Sequence, residues 1–444
     1  VKSLIAQTID KQEYLVKLCR ALIRYGAPTH RLEAYMRTSA QSLELGGQFL
    51  YIPGCMIISF DDENTHTAEV KLVREDQGVD LGRMDSVHNI YKRVANRDLT
   101  VREGTTRLHA LMKREPQYSK PWLVLMYGLA AASVGPFAFQ ARMLDTPIAF
   151  ILGCLVGLLQ YYLNARSELW ASCFTIIAAF MTSALARVFG SIHNGEYFCF
   201  SALAQSSIAL ILPGYTVLCA ALELQSGAIV AGSIRLVYAL IYSLFLGFGI
   251  TLGKDPIGSL ARPSADSHIS GSVVVGVAWK DAVSTTHCPH PMENYWFFLS
   301  VPVFTLCLIV INQAKWKQAP VQMIISLAGY QTNYWVSQYI KGQNIANACG
   351  ACVVGLLANM YARFGYAHEQ RLVRGSLVSG VTSADQITHN TTGVSVASNA
   401  TDGSSVQLNS VVLTVGYSVI QIAVAITVGL FVSTVLVYPR GKKK

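Results

Sequence analysis

The sequence predicts a polytopic α-helical membrane protein, with nine to ten transmembrane helices and an N-terminal soluble α+β domain. Three observations predict it. The 444 residues are 52% hydrophobic and only 14% charged, against about 25% charged in soluble domains. The charges are segregated: residues 1–121 have a soluble composition, and the rest is apolar with short charged joints. Beyond residue 121 lie nine charge-free runs of at least about 17 residues, enough to cross a bilayer. They are Trp122–Gln140, Pro147–Ala165, Leu169–Ala186, Tyr197–Leu222, Leu236–Gly253, Tyr295–Ala314, Gln318–Ile340, Gly342–Ala362 and Val411–Tyr438.

The soluble elements follow from periodicity and punctuation. Lys11–Tyr25 sets Tyr14, Leu15, Leu18 and Leu22 on one helical face and stops at Gly26, a natural cap position. Pro28 suits the first turn of a second helix reaching about Leu45. Gln48–Phe60 alternates and is β-rich, with Pro53-Gly54 marking a bulge, and Thr67–Val73 is its hairpin partner. Met84–Val94 and Thr100–Met112 are two further helices. The stretch Gly26-Ala-Pro28-Thr-His30-Arg31-Leu-Glu33 is the most distinctive of the domain. His30, Arg31 and Glu33 near a helix N-terminus suit an anion, since exposed amides and the helix dipole favour negative charge. The residues alone equally fit a tight interhelix turn with solvated charges.

In the membrane part the organising stretch is Ala202–Leu252. Ala202–Leu222 carries no charge, is broken by Leu212-Pro213-Gly214, and closes on Glu223, Ser226 and Gly227; the next apolar run opens with Arg235. Proline removes a helix donor and glycine loosens the backbone. Irregular backbone at membrane depth is tolerated only against protein or a wet cavity. An acid and an arginine beside such spans are costly unless paired or lining a pathway. The alternative is a kinked structural helix and an ordinary interfacial loop. Gln205, Asn312 and Gln313 add hydrogen-bonding capacity, though such amides also serve as helix–helix glue. Asp385, in the polar block Gly375–Asp385, is a weaker pathway residue.

Other classes are disfavoured. The net charge of +9 lies mostly at membrane joints and the C-terminus, where anionic headgroups account for it, so no nucleic-acid partner is expected. The ten cysteines lie mostly in apolar spans, as small packing residues. His287, Cys288 and His290 lack a second ligand pair, and Cys349-x-x-Cys352 sits among small residues that favour helix packing, so no metal is expected. His30 with Glu33 is the only acid–base pair worth weighing for an enzyme, and no nucleophile motif, phosphate loop or cofactor signature supports it. The sequence begins at Val1 without a signal-peptide pattern, and a native start further upstream is expected.

Gly26–Glu33, Phe49-Leu-Tyr-Ile-Pro-Gly54 and Ile57-Ile-Ser-Phe60 resemble the N-terminal domain of the threonine/serine exporter (ThrE) family, and of its fungal pheromone-regulated membrane protein branch. The resemblance extends through Leu212-Pro-Gly214, Glu223–Arg235, Ile311-Asn-Gln-Ala-Lys-Trp316 and Gly375–Asp385, nearly the whole chain. It implies a cytosolic N-terminal domain and two related membrane halves of five spans each. It also implies export of small amino acids or dicarboxylates, driven by protons or the membrane potential. The expected domains are residues 1–121 (cytosolic), 122–253 (first half), 254–294 (joint) and 295–444 (second half).

The sequence departs from that pattern between Arg363 and Leu408, where Ala367-His-Glu-Gln-Arg-Leu-Val-Arg374 replaces an expected apolar span. Arg166, Lys315 with Lys317, Arg363 and the tail Arg440–Lys444 fall on the cytosolic side only if the count is even, while Arg142, Arg187 and Lys341 break the rule. The sequons Asn390-Thr-Thr392 and Asn399-Ala-Thr401 prefer the opposite side. Gly375–Ile387 is therefore expected as a short or re-entrant stand-in. The resulting expectation is a plasma-membrane or vacuolar carrier for a small amino acid or carboxylate, with protons as candidate coupling ion and a homo-oligomer as candidate assembly. A non-transporting scaffold or inactive relative is the alternative.

Overall fold

The structure is a computed structural model and describes residues 2–62, 67–139, 141–163, 168–190, 198–260, 292, 294–340, 343–364 and 408–437. Gly375–Ile387, Asp385, the sequons, His287, Cys288, His290 and Arg440–Lys444 lie outside them.

The N-terminal domain comprises α1 (Lys2–Arg24), α2 (Thr29–Ser42), β1 (Gly46–Ile52), β2 (Cys55–Asp62), β3 (Thr67–Arg74), α3 (Leu81–Ala95) and α4 (Val101–Lys113). Tyr14, Leu15, Leu18 and Leu22 of α1 are buried, packed with Leu32 and Met36 of α2, Met56 and Ile58 of β2, Val87 of α3 and Leu108 of α4. The strands form one antiparallel sheet in the order β1-β2-β3. Pro53-Gly54 is a hairpin turn rather than the bulge expected from sequence, because Ile52 pairs with Cys55 and the alternation continues on both sides. Proline at the second and a positive-φ glycine at the third position is what a type II turn requires, and Gly54 has φ +84°.

The apolar part folds into α5 (Lys120–Phe139), α6 (Thr146–Leu158, continued by a π-helical turn to Leu163), α7 (Glu168–Gly190), α8 (Phe200–Ile208), α9 (Gly214–Gln225), α10 (Ile229–Leu260), α11 (Phe297–Ile311), α12 (Ala319–Tyr339), α13 (Gln343–Phe364) and α14 (Leu408–Val437). Among the described residues, α5 and segments of α7, α10 and α13 are long and apolar enough to cross a membrane; Thr146–Tyr162, Gly214–Leu224, Phe297–Ile311 and Val424–Val437 are shorter apolar helices. The run Tyr197–Leu222 is divided between α8 and α9, as its Pro-Gly break requires. Helix α10 extends past Gly253, where the charge-free run ends, to Leu260.

The helix contacts fix the topology. Asn333 faces Gly350 and Asn347, and Ile325 packs on Val354, so α12 and α13 form an antiparallel hairpin. Ala348, Ala351 and Cys352 approach Gly429, and Gly355 approaches Ser433, so α13 and α14 run parallel. Lys315, just ahead of α12, touches Asp85 of the N-terminal domain. Both α13 and α14 therefore end on the face of the membrane part that carries that domain. Among the described residues eight cysteines are free, while Cys199, packed in a buried cluster with Phe139 and Ala202, is disulfide-bonded. Cys349 and Cys352 line an apolar groove between α13 and α14.

Candidate functional site

The break between α8 and α9 sends α9 toward the N-terminal domain. Pro213 caps α9, and Gly214 is its first residue. Leu210 and Leu212 at the break line a small cavity of ≈ 90 Å³ with Tyr127, Leu308 and Asn312. Gln205 is half-buried one turn earlier, in α8. Glu223, in the last turn of α9, is fully buried at 0% exposure, and Arg235 of α10 lies beside it at 8%. Their side chains pair at 3.2 Å between Arg235 Nη1 and Glu223 Oε1. Ser226 caps α9 and its hydroxyl donates to the Glu223 carbonyl, not the carboxylate.

The N-terminal domain completes this site. The Thr29 amide donates to Glu223 Oε1 at 3.1 Å and the Thr29 hydroxyl donates to the same oxygen at 2.6 Å. Arg235 Nη2 donates to Gln77 Oε1 at 2.9 Å and reaches Thr29 Oγ1 at 3.4 Å. The Tyr215 hydroxyl donates to the Gly26 carbonyl at 3.1 Å. Thr29 is the first residue of α2, so the amide end of that helix meets an anion, and the anion is the protein's own carboxylate. Glu223 Oε2 is buried and, among the described residues, has no hydrogen-bond partner.

Local sequence explains the geometry. Gly26 adopts φ +87°, and a Cβ there would sit 2.6 Å from the Gly78 carbonyl oxygen. Pro28, extended, stands at the N-cap of α2. Glu33 Oε1 accepts from the Tyr51 amide at 3.2 Å, holding α2 to β1. Arg31 is half-buried, and the His30 side chain lies outside the described set.

A second contact joins the domains. The Leu81 and Gly82 amides, at the start of α3, donate to the carbonyls of Asn312 and Gln313, both at 3.1 Å. Gln313 reaches this position with φ +54°. The Gln117 amide donates to its side-chain oxygen at 3.4 Å. Lys315 Nζ donates to Asp85 Oδ2 at 2.6 Å. Burial pushes the Asp85 carboxyl above the ordinary carboxylate range, and Lys315 opposes that rise. Asn312 and Gln313 thus bridge the domains through their backbones, apart from the Glu223–Arg235 cluster.

The structure joins Gly26, Glu223 and Arg235 in one cluster. Thr29, Gln77 and Tyr215 complete it and were missed by sequence reasoning. Thr29 was discoverable, as a hydroxyl residue directly after Pro28 at a helix start; Gln77 sits in a loop and carries no local signal.

An N-terminal domain with a three-stranded sheet, joined to apolar helices of which four are long and apolar enough to cross a membrane among the described residues, defines the class as a membrane protein. The chain belongs to the ThrE family, described as "Putative threonine/serine exporter", whose model matches residues 13–255 and 281–387. It is 44% identical to an uncharacterized protein of Schizosaccharomyces pombe, over 99% of this chain and 57% of that protein. It is 42% identical to pheromone-regulated membrane protein 10 of Debaryomyces hansenii, over 99% of this chain and 43% of the relative. The Candida albicans protein of the same name is 41% identical, with 39% of its length covered. The chain thus spans about half the length of these relatives. No solved structure matches it.

Proposed function

We propose that this chain forms the body of a secondary carrier that exports small carboxylate-bearing solutes across a fungal membrane, threonine and serine foremost. The observation that carries the reading is the broken helix α8–α9, whose second half ends in the fully buried Glu223 paired with Arg235. Discontinuous helices are the elements around which carriers build substrate and ion sites, and a buried ionised pair is expensive in a purely structural role. The arginine supplies a planar two-point partner for a carboxylate, and Glu223 sets a buried carboxylate beside it. Residues 1–113 close the cytosolic mouth through Thr29 and Gln77. Membership of an exporter family supports the same class of activity.

Labelled threonine and serine in proteoliposomes, with and without an imposed proton gradient, test the reading. Gradient-dependent flux that is lost in Glu223→Gln is the expected result. Absence of flux from folded wild-type protein under every gradient refutes it and leaves the scaffold.

A further inference from the structure

The Glu223–Arg235 pair has the charge pattern of an α-amino acid zwitterion, reversed. Glu223 Oε1 already sits where a substrate carboxylate would be held. It receives the Thr29 amide, the Thr29 hydroxyl and the Arg235 guanidinium at 3.1, 2.6 and 3.2 Å. Those are the donors a carboxylate needs, a backbone N–H at a helix start, a hydroxyl and a cation. Glu223 Oε2, fully buried with no hydrogen-bond partner among the described residues, is an acceptor that the closed pair leaves unused. Buried polar atoms of this kind are uncommon and call for an explanation.

We propose that Thr29, Glu223 and Arg235 form a composite site for a zwitterionic α-amino acid, shared between the soluble and membrane domains and shown here closed upon itself. On opening, Arg235 and Thr29 pass from the Glu223 carboxylate to the ligand carboxylate, and Glu223 turns its released oxygens to the ligand ammonium. Each buried charge then exchanges one partner for another of the same sign, so neither is left bare. A dicarboxylate has nothing to offer Glu223 except repulsion, and the site therefore selects amino acids against dicarboxylates. Thr29 belongs to the soluble domain, so ligand entry and release of that domain are one event. This inference rests on the carrier reading and assigns its recognition site.

The test is equilibrium binding of labelled L-serine to the full chain in nanodiscs, with two competitors that each lack one charged group, 3-hydroxypropionate and ethanolamine. Wild type is expected to hold serine about tenfold or more tightly than either, because each analogue leaves one buried charge unpaired. Glu223→Gln is expected to bind serine no better than wild type binds 3-hydroxypropionate. Thr29→Val is expected to weaken serine several-fold while Thr29→Ser retains it. Equal wild-type affinity for serine and 3-hydroxypropionate overturns the proposal without requiring any variant to fold. So does undiminished serine binding by a folded Glu223→Gln. Serine counterflow in proteoliposomes separates the two levels: flux with normal selectivity in Glu223→Gln removes this site and leaves the carrier, whereas no serine or threonine flux from wild type removes both.

Discussion

Replacing Arg235 by methionine leaves Glu223 fully buried beside a thioether. Arg235 is 8% exposed and Glu223 0%, so solvent screens the pair little. Removing one member of a buried ion pair costs about 3–5 kcal/mol, most of it the penalty of the stranded charge. The Gln77 bond from Arg235 is lost too, and Thr29 remains tied to a carboxylate that now gains by moving toward water. A penalty of 3 kcal/mol corresponds to roughly a hundredfold in an opening equilibrium. Hydrogen exchange read by mass spectrometry follows that opening directly, because the Thr29 amide is bonded to Glu223 and the Leu81 and Gly82 amides to Asn312 and Gln313. In Arg235→Met the Thr29 peptide is expected to exchange about a hundredfold faster. The Leu81–Gly82 peptide accelerates as well if the domain lifts as a body, and stays protected if only the first latch opens. Pairing the change with Glu223→Gln removes the stranded charge and is expected to restore most of the protection. Unchanged exchange at Thr29 in the single variant refutes the claim that this pair holds the domains together.

Three further outcomes are expected. Because burial raises the proton affinity of Asp85 in the folded state, that state binds more protons than the unfolded chain just above the usual carboxylate range, and stability falls as pH rises through that window. Lys315→Met removes the opposing cation, so its thermal midpoint is expected to drop at neutral pH and recover toward acid, and a pH-independent deficit would contradict this. Gly26→Ala faces both a left-handed backbone and the Gly78 carbonyl; a loss of about 1–3 kcal/mol is expected, read as a lower melting temperature, and a neutral effect would disprove the tight turn. Parallel packing of α13 and α14 predicts that a tag appended after residue 444 is shielded in the same sealed vesicles that shield the N-terminal domain; a tag reached from the opposite side would overturn that topology.

The regular elements were legible wherever one face had to be apolar. The α1 stripe of Tyr14, Leu15, Leu18 and Leu22 is the domain core, and Pro213-Gly214 divides α8 from α9 where its chemistry demands. The Pro53-Gly54 turn was misassigned, because one long alternating run and two short paired runs share a single period and only register separates them. Glu223 and Arg235 stood out as charges at the margins of apolar runs. Their partners did not, since Thr29 and Gln77 lie 194 and 158 residues away from the side chains they bond. Long-range polar pairing leaves no periodicity, and an uncharged Gln in a loop resembles any other. The same limit hid Asp145, buried at 0% exposure, whose carboxylate accepts from the Cys199 amide at 3.1 Å and ties the α5–α6 turn to the start of α8.

The N-terminal domain is gripped from two directions. Thr29 and Gln77 hold the end of α9 and the beginning of α10, while Leu81, Gly82 and Asp85 hold the turn between α11 and α12. The two grips therefore fall on separate parts of the helical body. A rigid strut fastened to two jaws cannot stay fastened to both when the jaws move relative to each other. Any movement of the α9–α10 end against the turn between α11 and α12 must break one hinge pin, and on the carrier reading proposed above the pin that yields first sets the order of opening. The N-terminal domain is thus a caliper set across the helical body, and its loosening reads out any relative movement of the two parts it spans.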